Sequence, residues 1–102
     1  MTQTKRILHL PVKGVYFNEM KSGIKTREYR LQTDYWKTRL EGRDYDLVRI
    51  TLGYPSREDE ERIMLFKWKG FERTTITHEH FGDKSVDVYA IVVEDKCELK
   101  TL

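Results

Sequence analysis

The densest run of reactive side chains is Gly23-Ile24-Lys25-Thr26-Arg27-Glu28-Tyr29-Arg30, with a turn glycine, a lysine, a carboxylate and an arginine in eight residues. Side chains alternate across a strand, so the spacing predicts Thr26, Glu28 and Arg30 on one face and Lys25, Arg27 and Tyr29 on the other. Glu28 and Arg30 are then close enough to pair, and the planar fork of Arg30 suits a carboxylate or a phosphate. Lys25 stands at the mouth of the strand, where a turn or twist aims its ammonium at the same cleft. A lysine beside a carboxylate is one route to a general base or an activated nucleophile. Lys13 joins this set from just before a helix. The plainer alternative is a solvated edge strand whose exposed ion pair contributes little.

A second candidate is the loop Tyr54-Pro55-Ser56-Arg57, with Tyr45 and Arg49 upstream. Aromatic faces interleaved with arginine suit base stacking and phosphate contact, so Tyr54 and Arg57 are candidate ligand-binding residues. Arg57 opens the run Arg57-Glu58-Asp59-Glu60-Glu61-Arg62, whose net charge is acidic, which favours a solvated turn over a broad phosphate surface. Tyr29, Tyr35 and Trp36 are expected mainly in the core of a small fold. A third candidate is His78-Glu79-His80. On an extended segment its two histidines face the same way, as a metal pair can, with Asp83 as a third ligand. No HExxH pattern supports this, so no metal or other cofactor is expected. His78 is read instead as a loop residue that hydrogen-bonds a ligand. His9 reads as a satisfied structural histidine. There is no P-loop, GxGxxG, GxSxG elbow or zinc-deaminase pattern.

The elements that must position these groups follow from periodicity and breakers. Strands are expected at 7–12, 25–31, 46–52, 62–68, 71–77 and 86–93. Residues 62–68 and 71–77 flank Gly70 as a possible hairpin. Helices are expected at 14–22, ended by Gly23, and at 34–40, capped by Asp34 and followed by Gly42. Tyr35, Trp36 and Leu40 give the second helix an inward face. Strand-period segments outnumber helical ones, so the expected fold is α+β: a small mixed β-barrel of five to six strands with two short helices at its ends.

The chain of 102 residues is read as a single domain, with 1–5 and 96–102 as loose termini. Charged residues make up 35% against 38% hydrophobic, and the charge is mixed, which argues for a folded chain that is not strongly basic. With a net charge of +2, any basic surface must come from local clustering. One cysteine, Cys97, rules out an internal disulfide. No apolar run reaches membrane-spanning length and residues 1–6 lack a signal-peptide core, so a cytoplasmic setting without membrane contact is expected.

Gly23, Lys25, Glu28 and Arg30 match the G-x-K-x-x-E-x-R signature of ASCH domains, small barrels related to the PUA fold. The lead-in is also similar: a short strand at 7–12, a helix with aromatic residues, then the signature. The resemblance implies that the signature strand lines a central cleft for RNA or a modified nucleoside or nucleotide. Lys25 and Arg30 would then contact phosphate or a base edge. Some ASCH proteins are amidohydrolases that remove the acyl group of N4-acetylcytidine, with a lysine matching Lys25. They carry a threonine where this chain has Glu28, which suits a base for water better than a hydroxyl nucleophile. Others are ribonucleases, whose chemistry Glu28, Lys25 and Arg30 can supply. The expected function is therefore recognition of RNA or a nucleotide-like ligand. The alternatives are a metal-independent hydrolase with Lys25 and Glu28 as its catalytic pair, or a protein-interaction module.

Overall fold

The computed structural model describes residues 5–79 and 82–99. Its elements run β1 (Ile7–Val12), α1 (Gly14–Lys21), β2 (Arg27–Leu31), α2 (Asp34–Leu40), β3 (Leu47–Leu52), a 3-10 turn (Glu60–Arg62), β4 (Ile63–Lys67), β5 (Phe71–Ile76), β6 (Val86–Val92) and β7 (Lys96–Cys97). The fold is a small α+β arrangement with seven strands among the described residues, one more than the upper expectation. The extra strand is β7, which pairs with Leu65 and Phe66 and so ties down a tail expected to be loose.

The strands form two sheets, ordered β1-β3-β4-β7 and β2-β6-β5. β1 and β3 are parallel, and the other pairs are antiparallel. No ring of strand pairings closes the two sheets into one barrel among the described residues. They approach at two places instead. Beyond β6 the chain bends from one sheet to the other: the Val93 amide donates to the Thr26 carbonyl at 2.9 Å, and the Lys67 amide donates to the Asp95 carbonyl at 2.8 Å. At the other place the edge strands β1 and β2 face each other, and a side chain bridges them.

Residues 63–67 and 71–76 do not form the expected hairpin, because β4 belongs to the first sheet and β5 to the second. The Trp68 amide donates to the Asp46 carbonyl, and Gly70 takes φ 84°, so the chain leaves the first sheet there instead of folding back along it.

Burial follows the pattern of each strand. In β1, Leu8, Leu10 and Val12 are buried while His9 is exposed, as alternation requires. The central strands β4 and β6 bury Ile63–Phe66 and Val88–Val92 as near-continuous apolar runs. Leu10, Phe17, Leu40, Ile50, Phe66, Tyr89 and Ile91 join one core between the sheets. α1 contributes Phe17 and Met20, and α2 contributes Leu40. Thr33, not Asp34, caps α2, accepting from the Trp36 amide. Tyr35, expected inward, is exposed.

The far end of α2 is held by Glu41. One oxygen accepts from the buried Tyr89 hydroxyl and the other from the Arg73 guanidinium, each at 2.5 Å. Hydrogen bonds from Arg73 first, then from Tyr89, lower the Glu41 pKa below its ordinary 4.5. A carboxyl whose folded pKa is depressed contributes stability above its unfolded pKa and loses it as pH falls through the folded value. Wild-type stability should therefore decline below about pH 4.5 with a component that Glu41→Gln lacks. Urea midpoints for both chains from neutral pH down to about pH 3 test this, and parallel pH profiles would refute it.

Candidate functional site

The opening between the edges of β1 and β2 is a cleft of about 740 Å³. β1 contributes His9 and Pro11, and β2 contributes Glu28, Tyr29 and Arg30. Lys13 and Tyr16 come from the start of α1, Lys25 from the link into β2, and Tyr35, Trp36 and Arg39 from α2. Tyr54 and His78 stand on loops at its border.

Glu28 sits at the floor, only 4% exposed. Its Oε2 accepts from Arg30 Nη1 at 2.5 Å, the pairing that the alternation of the strand predicts. The Arg30 Nη2 reaches across the seam to the Pro11 carbonyl at 3.0 Å, and Nη1 also meets the Tyr29 carbonyl at 3.1 Å. The Arg30 guanidinium lies 5.2 Å from the Trp36 ring centre. A buried carboxylate is costly unless paired and hydrogen-bonded, and Arg30 supplies both.

Lys25 reaches the same carboxylate from the other side, with Nζ 3.7 Å from Glu28 Oε1. β2 begins at Arg27, so Lys25 is not bound by strand alternation. Its position comes from the end of α1. Gly23 turns with φ 84°, and the Lys25 amide returns to the Glu19 carbonyl at 3.1 Å. The ammonium then lies 4.5 Å from the Tyr29 ring centre and 5.4 Å from that of Tyr16, within cation–π range. Lys25, Glu28 and Arg30 thus form a cation–carboxylate–cation row, with side-chain exposures of only 13%, 6% and 18%.

Burial, with help from Glu79, Glu28 and Glu19, raises the Tyr16 pKa above its ordinary 10.0. The Tyr16 ring meets His78 at 5.8 Å, which places His78 over the Lys25 side of the cleft. His9 is not an enclosed histidine. It opens onto the cleft, and partial burial, then the charge of Arg49, lower its pKa below 6.5.

Lys13, Lys25, Glu28, Arg30, Tyr54 and His78 are brought together, as their residue types suggest. Arg57 is exposed and is not among the residues lining the cleft. His80 lies outside the described residues, and among those described no three His, Cys, Asp or Glu side chains are grouped to hold a metal ion. Sequence reasoning missed Arg39, whose guanidinium stacks 3.4 Å from the Tyr35 ring centre. The four-residue spacing of the two on a helix was the available signal. No described helix is long and apolar enough to cross a membrane. No family model, curated protein or solved structure matches this chain.

Because the row is nearly buried, removing its centre leaves two cations without their counter-charge. Glu28→Ala should cost about 3 kcal/mol of unfolding free energy, the scale for breaking a buried pair from one side. Lys25→Ala should cost clearly less, since Arg30 still satisfies the carboxylate. Urea denaturation measures both, and equal losses would show that the row does not hold the seam.

Proposed function

We propose that this protein is an RNA- or nucleotide-binding module of the ASCH type, with the ligand held in the cleft between β1 and β2. The observation that carries this reading is the lining of that cleft. Four cations, Lys13, Lys25, Arg30 and Arg39, accompany one carboxylate, in a chain whose net charge is only +2. Five of the eight tyrosine and tryptophan residues lie there too: Tyr16, Tyr29, Tyr35, Tyr54 and Trp36. Clustered cations attract phosphate, and flat rings stack on bases. The volume is in the range of small-molecule and cofactor sites. Tyr54, 93% exposed, offers a ring at the rim on which a neighbouring base can stack. In the same reading the two sheets are the halves of a PUA-like barrel, joined by the bend after β6 and parted at the seam that the ligand enters. Arg57 takes part only with a ligand that runs past the rim.

The 3.7 Å approach of Lys25 to Glu28 also favours a second reading, a metal-independent hydrolase acting on an N4-acylated cytidine or an RNA phosphodiester. Recognition is preferred because Glu28 is tied on both sides, to Arg30 and to Lys25, an arrangement suited to fixed reading of a ligand more than to proton exchange.

Short single-stranded RNA should quench the fluorescence of Trp36, bind more weakly as salt rises, and lose about 0.7 in salt slope on Arg39→Ala, the single-strand value for one phosphate contact. Absence of binding to every RNA and nucleotide tried would sink the proposal. Turnover of an acylated cytidine or cleavage of the RNA, abolished by Lys25→Ala in a folded protein, would replace it with the hydrolase.

A further inference from the structure

The hydrogen-bonding capacity of the cleft floor is unevenly used, and that unevenness specifies a base. Arg30 uses three N–H···O contacts on the protein itself, to Glu28, Tyr29 and Pro11, out of five donors in its fork. It acts as a tether. Glu28 is different. A carboxylate has roughly four acceptor positions, and the Arg30 bond occupies one. Oε1 faces Lys25 across 3.7 Å, an ion-pair distance longer than a hydrogen bond. The surface facing an incoming ligand is therefore a carboxylate with acceptors to offer and, on one side only, an ammonium with donors to offer.

We propose that this pair reads the Watson–Crick edge of guanine, an inference that rests on the nucleotide-binding reading above. Guanine alone among the common bases presents two adjacent donors, N1–H and the N2 amine, next to one acceptor, O6. The two donors meet the oxygens of Glu28, and O6 meets the Lys25 ammonium. Adenine and cytosine each set a ring-nitrogen lone pair beside their single exocyclic amine, so either would turn a lone pair toward the carboxylate. Uracil sets one N–H between two carbonyls, so it offers the two oxygens of Glu28 a single donor and turns a carbonyl toward the other. Tyr16 and Tyr29 lie beside Lys25 and Trp36 lies beside Arg30, so the cleft that holds the pair also holds rings against which a flat base can lie. Arg39 at the cleft wall is the cation placed to meet the phosphate.

Isothermal titration of the whole chain with GMP, IMP, AMP, CMP and UMP tests the assignment directly. IMP is GMP without the N2 amine and keeps its N1–H, O6, ribose and phosphate. GMP should bind about tenfold more tightly than IMP, the scale for one hydrogen bond to a charged group, and at least tenfold more tightly than the other three. Glu28→Gln should collapse the GMP-to-IMP ratio toward one. Loss of both ligands in proportion would instead mark a purely structural carboxylate and overturn the contact. Should the variant fail to fold, the wild-type GMP-to-IMP ratio decides the question without it. A parallel titration with a short RNA holding one unpaired guanine, and the same RNA with inosine there, separates a free nucleotide from a base within a strand. Equal binding of GMP and IMP, or tighter binding of UMP, overturns guanine and leaves nucleotide recognition standing. Failure of every nucleotide and both RNAs overturns the two readings together.

Discussion

The guanidinium of Arg30 joins a buried carboxylate on one sheet to a backbone carbonyl on the edge of the other, and the architecture turns on that bridge. Two edge strands that face each other would ordinarily pair or be covered, since their amides and carbonyls need partners. Here β1 and β2 are kept apart. Pro11 has no amide to donate, and its carbonyl is taken by Arg30 at 3.0 Å. The seam is thus satisfied by a side chain longer than a backbone hydrogen bond, and the extra separation becomes a cleft. Glu28 is needed for this, because a guanidinium drawn into a nearly buried place requires a counter-charge.

The remaining walls are fixed by comparable ties. Gly23 and the return of the Lys25 amide to Glu19 anchor the lysine against α1. The Glu41 carboxylate, held by Tyr89 and Arg73, anchors the end of α2, the helix that brings Trp36 and Arg39 to the cleft. Each tie connects a polar group of the wall to the core or to a neighbouring element. A ligand entering such a cleft has less to organise than one that must order loops, and that saving goes into affinity. Tyr54 is the exception: almost wholly exposed on its loop, it is placed to adapt to whatever emerges from the cleft.

What the sequence made legible follows from which contacts are local. The Glu28–Arg30 pair was readable because both residues lie on one strand, two apart, where alternation decides the geometry. Most element positions were readable for the same reason. Lys25 was readable only as a direction, since its place depends on a turn and on contacts with Tyr16. The false hairpin at Gly70 shows the limit more sharply. Two strands around a glycine look alike whether they pair with each other or with distant strands, and here β3 and β6 had the better claim. Barrel closure, the exposure of His9 at the cleft and the stacking of Arg39 on Tyr35 depend on how the two sheets meet. Such long-range packing leaves little trace in local pattern.

Charge placement completes the physical picture. The chain carries 19 lysines and arginines against 17 acidic residues, so its bulk gives a polyanion little reason to approach. The distribution differs. Glu60, Glu61 and Glu98 gather at a separate depression with Lys21 and Lys96, while the seam cleft holds four cations against the single charge of Glu28. Field lines concentrate where one sign of charge lines a cleft with low-dielectric walls, and aromatic rings are such walls. The molecule is nearly neutral overall and locally positive at one opening. Within that opening Glu28 is flanked by Lys25 and Arg30, so its charge is balanced while its oxygens keep acceptor positions. On the reading proposed above, a cation at the wall would meet the phosphate of a nucleotide while the acceptors of Glu28 at the floor meet the donors of its base, two demands that the cleft separates in space as the nucleotide does.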